Sequence, residues 1–301
     1  MMSVLKNPAW IDYRLLSTNQ LDRLPQSLLN EIKDNLRKFQ SPQPLVSIVV
    51  PACNEEFSVL RTLHSLSCNE TKYPVEVIVI NNNSTDRTQQ VLDLLGVRSF
   101  FQPVAGWGPA RQLGLEKAMG KYVLSADCDS FYPPNWIQTM TDALVDENIA
   151  CVYGDYSYLG NETKARWKFA IYETLRNIIL EVRQIKRPFL NARGLNMGFV
   201  RELALKKGYI YAKVRGEDGR MCFDLMQHGR IKRIRSRNIV VWTPPRAKGN
   251  IGLVSVFFKN TLIELSKMKS YFYKRPMHDT HTSPNSAPPV LKYMEKIKHN
   301  V

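Results

Sequence analysis

Short apolar runs alternate with amphipathic stretches along the middle of the chain. The runs are rich in Val and Ile, show little polar alternation and are typical of buried parallel strands. They are Val46–Val50, Val75–Ile80, Tyr122–Ser125, Ala150–Tyr153 and Ile239–Trp242. Helical spacing follows the first two runs, at positions 59–66 and 91–95. The alternation predicts an α/β fold with a doubly wound, mostly parallel sheet flanked by helices, over residues 45–245.

Amphipathic helices are predicted on both sides of this domain and within it. Residues 1–44 form a helical N-terminal extension, in which Ser27–Phe39 packs on the domain. The domain is interpreted as two halves, residues 45–130 and residues 131–245. Around residues 164–187 one helical stripe is interpreted as a core face; it contains Trp167, Ile171, Thr174, Ile178 and Val182. Residues 246–301 form a basic amphipathic C-terminal extension.

The charge of the chain is unevenly distributed. The 301 residues carry 42 Lys and Arg against 27 Asp and Glu, a formal charge of +15. Residues 1–185 have 18 basic and 20 acidic side chains, residues 186–237 have 14 and 4, and residues 246–301 have 10 and 3. The second half is therefore expected to meet something anionic, such as phosphorylated substrates, nucleic acid or an acidic membrane face.

The N-terminal residues and the cysteines also indicate in which cellular compartment the protein is found. The first ten residues lack the apolar core of a secretory signal, and no apolar run is long enough to span a bilayer. Five widely spaced cysteines, without a CxxC pair, indicate neither a disulfide framework nor a zinc site. We expect a reduced, cytoplasmic protein.

Polar residues cluster where three predicted strands end, the edge at which open α/β sheets bind ligands. Pro51-Ala52-Cys53-Asn54-Glu55-Glu56 follows the first strand, and Asn81-Asn82-Asn83-Ser84-Thr85-Asp86 follows the second. Turn formation and helix capping also explain both segments. The segment Gly106–Gly114 is interpreted as a flexible loop entering a helix, with Arg111 and free backbone N–H groups available to hold phosphate.

Two acidic segments suggest catalysis. Asp127 and Asp129 follow a buried strand at i and i+2, so their carboxylates point the same way and would repel without a cation. Hard oxygen ligands suit Mg²⁺ or Mn²⁺ bound to a diphosphate. In Arg215-Gly216-Glu217-Asp218-Gly219, an aspartate ahead of a helix could take a proton from a hydroxyl nucleophile. Stabilisation of an acidic first turn by the helix dipole is the alternative explanation.

In order and spacing, these segments resemble the opening of the family 2 inverting glycosyltransferases of GT-A fold. The resemblance rests on VSIVVPACNEE, VEVIVINNNSTDRT and GPARQLGLEKAMGKYVLSADCDS and extends over residues 45–235. It implies a metal-dependent transfer of a sugar from a UDP-, GDP- or dTDP-sugar to an acceptor hydroxyl, as in the synthesis of bacterial cell-surface polysaccharide. Gln227 and Arg230 have the spacing of the processive synthases' QxxRW but are followed by Ile231, so a non-processive enzyme is expected.

The resemblance implies that residues 45–130 are the nucleotide-binding half and residues 131–245 the acceptor-binding half, and it assigns roles residue by residue. It implies a nucleotide-sugar site at the first two strand ends and the following helix, with Asp127 near the ribose and Asp129 on the metal and diphosphate. It implies acceptor contacts at Gly194, Asn196 and Glu217, and Asp218 as the catalytic base. The nucleotide-sugar site comprises Pro51, Ala52, Asn54, Glu55, Asn82, Asp86, Arg111, Asp127 and Asp129.

Several questions stay open at this stage. The family often has acidic residues where Asn81 and Asn82 stand, which leaves the base of the nucleotide undecided. The acceptor is expected to be a glycan or a lipid-linked saccharide. The wide apolar face and basic residues of 251–275 suggest either a helix attached peripherally to the anionic inner face of the membrane or a helix that covers the catalytic domain. A nucleotidyltransferase and a nucleic-acid-binding module are the alternatives, although we expect no nucleic-acid partner.

Overall fold

The computed structural model describes residues 5–16, 21–160, 165–209 and 216–245. The strands in these ranges are β1 (Val46–Ala52), β2 (Val75–Asn81), β3 (Arg98–Phe101), β4 (Tyr122–Ser125), β5 (Ile149–Tyr153), β6 (Tyr156–Tyr158), β7 (Met197–Val200), β8 (Arg230–Arg233) and β9 (Val241–Thr243). The α-helices are α1 (Gln26–Leu36), α2 (Ser58–Ser67), α3 (Thr88–Leu95), α4 (Trp107–Lys117), α5 (Trp136–Leu144), α6 (Arg166–Lys186), α7 (Arg201–Lys207) and α8 (Glu217–Leu225).

A seven-stranded sheet in the order β3-β2-β1-β4-β7-β5-β8 forms the centre of the molecule. Its strands run parallel except β7, which pairs antiparallel with both β4 and β5. Apolar clusters cover both faces, and every residue of β2 is buried. The predicted α/β class and mostly parallel sheet are therefore confirmed.

The N-terminal helix packs against the sheet's own helices. Helix α1 buries Leu28, Ile32 and Leu36 against α2 and α3, and a 3₁₀ turn then continues to Phe39. The amphipathic pattern over Ser27–Phe39 thus predicted the element and its packing. None of the helices in the described ranges is long and apolar enough to cross a membrane.

The sequence was less informative about the second half of the sheet. The predicted strand Ile239–Trp242 does not enter the main sheet: a 3₁₀ turn ends at Ile239, and β9 pairs with β6 in a separate two-stranded sheet. Strands β7 and β8 were not predicted. Strand β8 is hard to recognise because three of its four residues are basic and it lies at the edge of the sheet.

The face of helix α6 that was predicted to be buried is exposed. The stripe containing Trp167, Ile171 and Ile178 was predicted to face the core, but these side chains are 51%, 47% and 53% exposed. The inward face instead carries buried Arg166 and Glu173, joined by an ion pair of 2.6 Å. The prediction was wrong because the helix has a second apolar set, which is the one that is buried on the inward face together with these charged residues: Phe169, Ala170, Ile179 and Leu180.

Candidate active site

The polar segments predicted from the sequence meet at one edge of the sheet. Strands β1, β2 and β4 are parallel neighbours, so their carboxyl ends lie side by side. The turns after these strands contain Asn54, Asn82 and Asp127. The structure therefore brings the three strand-end segments together as expected.

The turns after β1 and β2 are joined by hydrogen bonds that use two of the predicted site residues. Asn54 has a left-handed backbone (φ 55°), accepts from the Thr85 N–H at its Oδ1 (2.7 Å) and donates its own N–H to Ser84 Oγ (3.0 Å). The Glu55 N–H donates to Thr88 Oγ1 at 2.9 Å. Pro51 and Ala52 belong to the end of β1 itself. This side of the site is thus a preformed pair of interlocked turns.

Asp86 completes this arrangement. Its Oδ2 accepts from the Glu56 N–H (3.1 Å), and its Oδ1 accepts from both the N–H and the hydroxyl of Thr88. Burial would raise the pKa of Asp86, but these hydrogen bonds outweigh it and lower the pKa. The carboxylate therefore holds the two turns together in its charged form.

The amide of Asn82 is directed into the protein. Its Nδ2 donates to the carbonyls of Gln102 (3.2 Å) and Val104 (2.7 Å), and its Oδ1 accepts from the Gly106 N–H (2.8 Å). The side chain is buried, and both its amide nitrogen and its amide oxygen have protein partners. Asn82 thus shapes the loop between β3 and α4. The predicted contact with the base would have to be made by the backbone or by that loop.

Arg111 projects from α4 to the centre of the site. Helix α4 begins at Trp107, so the helix starts earlier in the segment Gly106–Gly114 than expected, and Arg111 lies in its first turns. A Cβ on Gly114 would overlap the Val49 side chain, which shows how closely α4 packs on β1. This close packing carries Arg111 to the end of β4, where the side chain is only 4% exposed. Arg111 is therefore not exposed to solvent as a phosphate-binding residue, as the sequence analysis had expected.

The buried guanidinium holds two carboxylates from distant parts of the chain. Nη2 donates to Asp127 Oδ1 at 2.9 Å, Nη1 donates to Ser125 Oγ, and Nη1 lies 3.4 Å from Asp218 Oδ1. Burial would lower the pKa of Arg111, but the charges of Asp218 and then Asp127 outweigh burial and raise it. Arg111 therefore stays charged and links the end of β4 to the start of α8.

Asp218 is fixed on its other side by the segment before β7. Its Oδ2 accepts from the Gly194 N–H at 2.7 Å. Gly194 is required here, because a Cβ would overlap the Arg111 guanidinium. Glu217 lies beside Asp218 in the first turn of α8, with Oε2 accepting from the Gly216 N–H at 3.0 Å. Arg215, at the start of this motif, lies outside the described residues.

Asn196 is buried beneath this segment. Its Oδ1 accepts from Trp136 Nε1 (2.8 Å), and its Nδ2 donates to the carbonyls of Asp155 (2.7 Å) and Ile239 (2.8 Å). The side chain is fully buried and is not open to an acceptor. It anchors the chain next to Gly194 and so supports the position of Asp218.

Tyr132 is a site residue that sequence reasoning missed. Its hydroxyl accepts from the Asp127 N–H (2.7 Å) and donates to the Leu195 carbonyl (3.0 Å), so it joins the end of β4 to the segment before β7. Burial, followed by the charge of Asp127, raises the pKa of Tyr132 well above its ordinary value. In the sequence, Tyr132 is only an aromatic residue five positions after Asp127, and such a residue cannot be distinguished from an ordinary core residue.

This geometry can be compared with known proteins. The profile of Glycosyl transferase family 2 matches residues 47–205, slightly more than half of the chain. The chain belongs to glycosyltransferase family 2. The alternatives of nucleotidyl transfer and of a non-enzymatic nucleic-acid-binding role are therefore not supported.

Curated relatives of this glycosyltransferase are distant and longer. An uncharacterized glycosyltransferase of Haemophilus influenzae is 30% identical over 40% of this chain and 52% of its own length. Chondroitin synthase of Escherichia coli is 25% identical over 76% of this chain and 39% of its own length. The chain thus spans about half or less of the length of these relatives.

Solved structures share the GT-A fold of this glycosyltransferase. S. aureus TarS (residues 1–349), in complex with UDP-GlcNAc, superposes with a TM-score of 0.51 at 16% identity, over 78% of this chain and 77% of that one. The mannosyltransferase PcManGT of Pyrobaculum calidifontis, with GDP-Man and Mn²⁺, superposes with a TM-score of 0.53 at 15% identity, over 91% and 87%. At these identities the likeness establishes the fold alone.

The carboxylates after β4 fit a divalent metal in this glycosyltransferase. Asp129 is buried two residues after Asp127, and its Oδ1 lies 3.4 Å from Ser130 Oγ. Among the described residues, no three His, Cys, Asp or Glu side chains converge as a metal cage. A single carboxylate completed by phosphate oxygens is a common way to hold Mg²⁺. The donor chemistry at Asp129 is compatible with that kind of site.

Replacing Arg111 by Lys tests the bridge that Arg111 forms between Asp127 and Asp218. A lysine has a single ammonium nitrogen, which cannot occupy both of the positions from which Nη1 and Nη2 of Arg111 contact Ser125, Asp127 and Asp218. We expect Arg111→Lys to lower the free energy of unfolding by about 1–3 kcal/mol, measured as a lower urea midpoint. The exposed Arg37→Lys is the matched control and should be neutral. Equal midpoints for both variants would show that the bridge contributes nothing to stability.

Replacing Asn82 by Asp tests the role of its amide. One carboxylate oxygen would keep the hydrogen bond from the Gly106 N–H, but the other would replace Nδ2 and face the carbonyls of Gln102 and Val104 with no hydrogen to donate. We expect Asn82→Asp to cost about 1–3 kcal/mol, measured by urea unfolding. Asn83→Asp, at the exposed neighbouring position, should change stability little. A stable Asn82→Asp variant would contradict the structural role.

Proposed function

We propose that this enzyme transfers a sugar from a nucleotide-sugar donor to a hydroxyl of a glycan or lipid-linked saccharide, by one inverting displacement with Asp218 as the base. The observation that carries the proposal is the state of Asp218 Oδ1. It is buried, is not aligned for a hydrogen bond with Arg111, and has no hydrogen-bond partner among the described residues. A buried carboxylate oxygen without a donor is costly unless a ligand satisfies it. An acceptor hydroxyl would supply that donor.

The donor would lie along the carboxyl ends of β1, β2 and β4. The interlocked turns around Asn54 and Asp86 offer a rigid wall for the nucleoside, with Glu55 beside them. Asp127 would lie near the ribose, where Arg111 fixes its orientation at 2.9 Å. The UDP-GlcNAc bound by TarS and the GDP-Man bound by PcManGT support a nucleotide-sugar donor. They do not favour one base over the other.

Asp129 would hold Mn²⁺ or Mg²⁺ against the donor diphosphate. The Mn²⁺ in the mannosyltransferase structure supports this assignment. When bound, the metal would neutralise the charge that develops on the leaving diphosphate. The chain's own contribution is a carboxylate whose position is set by the end of β4.

Asp218 would accept the proton of the attacking hydroxyl. The Gly194 N–H holds Oδ2, which leaves Oδ1 to face the acceptor. As the acceptor oxygen attacks the anomeric carbon from the face opposite the diphosphate, its proton passes to Oδ1 and the nucleoside diphosphate departs with the former glycosidic electron pair. Gly194 and Glu217 border this position and are proposed acceptor contacts, whereas Asn196 acts by positioning Gly194.

Attachment to an anionic membrane face is a separate proposal. It rests on the basic composition of residues 246–301, which lie outside the described residues. Arg246, another candidate contact for the diphosphate, lies there too. A membrane surface would bring a lipid-linked acceptor to the enzyme.

Donor binding can be measured by calorimetry with UDP, GDP, dTDP and CDP, each with and without Mn²⁺. We expect one nucleotide to bind in a metal-dependent manner. Asp129→Ala should abolish the gain from Mn²⁺, because the metal would lose its carboxylate ligand. Asp93→Ala, on the outside of α3, is the control and should bind like the wild type. Folded protein that binds none of the nucleotides would contradict the proposed donor.

The proposed base can be tested by Asp218→Asn. The amide oxygen can still accept from the Gly194 N–H, but the side chain can no longer take a proton. We expect the transfer rate to fall by roughly 10²–10⁴-fold with little change in nucleotide affinity. Asp224→Asn, on the same helix and paired with Arg220 at 3.0 Å, is the control. An Asp218→Asn variant with nearly full kcat would exclude this residue as the base.

A further inference from the structure

The exposed side of α6 carries a narrow apolar seam. Trp167, Ile171, Ile178 and Ile185 are 51%, 47%, 53% and 69% exposed. With Thr174 and Glu181 they follow a spacing of 4-3-4-3-4 residues. Positions at this spacing form the contact line between two packed helices.

The same spacing recurs near the end of the chain. It is followed by Val254, Phe258, Thr261, Leu265, Met268 and Phe272. The first and last positions of each series are eighteen residues apart, about 27 Å in a helix. Each has Thr at its third position and a larger side chain at nearly all the others. Two stretches of one chain therefore have contact lines of matching length and period.

The described chain ends close to the start of α6. The Leu159 N–H donates to the Thr243 carbonyl at 3.0 Å, and the Arg166 guanidinium lies 4.9 Å from the centre of the Trp242 ring. Residues 246–250 separate this point from residue 251 and can span at most about 17 Å. A helix starting at residue 251 is thus within reach of Trp167 and would run parallel to α6.

We propose that residues 251–275 form a helix that docks on the seam of α6, with Phe258 beside Ile171 and Leu265 beside Ile178. The seam is broken by Thr174 and Glu181 and is too narrow for the wide apolar face with which helices lie in a membrane. In this register Glu181 lies opposite Met268, between Lys267 and Lys269. The other charges at the edges are mostly basic on both helices, including Lys168, Lys186 and Lys259, so contact between the seams must supply the attraction.

Cross-linking of the full chain tests this register. In a background with Cys53→Ser and Cys68→Ser, which removes the two exposed thiols, Ile178→Cys is combined with Leu265→Cys. A short bismaleimide should link the two within one chain, as mapped by mass spectrometry. The control pair, Ile171→Cys with Leu265→Cys, is one heptad out of register and should link several-fold less. Salt should raise the in-register yield, because it screens the basic edges.

Three results would overturn the proposal. Links between chains, detected by mixing isotope-labelled and unlabelled protein, would assign the seam to a second copy. Equal yields for the two pairs, or no link in either, would exclude the docked register. Loss of the link when anionic vesicles are added, with binding weakened by salt, would assign the seam to a membrane. None of these readouts depends on sugar transfer, so they are independent of the proposed function.

Discussion

The buried guanidinium of Arg111 is the constraint on which the site depends. A charge with 4% exposure would be strongly unfavourable alone. Asp127 and Asp218 compensate it, and in return the guanidinium keeps two carboxylates near each other that would otherwise repel. Removing Arg111 leaves two carboxylates without a counter-charge, whereas removing either carboxylate leaves a single ion pair. The arrangement therefore specifies one relative position of β4, α4 and α8, whatever its net contribution to stability.

The position of Arg111 depends in turn on tight backbone packing. Gly114 lets α4 approach β1, and Gly194 leaves room for the guanidinium between β4 and α8. Tyr132 and Asn196 fix the segment around Gly194 from below, through hydrogen bonds to Leu195, Asp155 and Ile239. The carboxylate oxygen that we propose as the base thus rests on buried contacts that never touch a substrate.

The sequence predicted the edge of the sheet at which the site lies, but not the hydrogen bonds and ion pairs between the site's side chains. Apolar runs such as β1 and β2 are recognisable because both faces of each strand are buried, and the carboxyl ends of parallel strands must then meet. The hydrogen-bond partners of a polar side chain cannot be predicted in this way. The sequence around Asn82 is the same whether its amide holds a loop, as it does here, or faces a ligand. Likewise, Arg111 could be assigned to a helix, whereas its burial depends on Asp218, more than a hundred residues away.

Helix α6 exposes the apolar stripe that its sequence would be expected to bury. The rule that a helix buries its apolar stripe assumes that the core offers only apolar surface. Here the core side also contains polar groups. Arg166 of the helix donates to Ser157 and pairs with Glu173, and Arg176 contacts the carbonyl and the ring of Tyr156. The same inward face also buries Phe169, Ala170, Ile179 and Leu180. The outer seam of Trp167 and its isoleucines therefore holds most of the apolar surface that this helix can still bury, and a partner helix from the same chain would bury it without the entropy cost of bringing two molecules together.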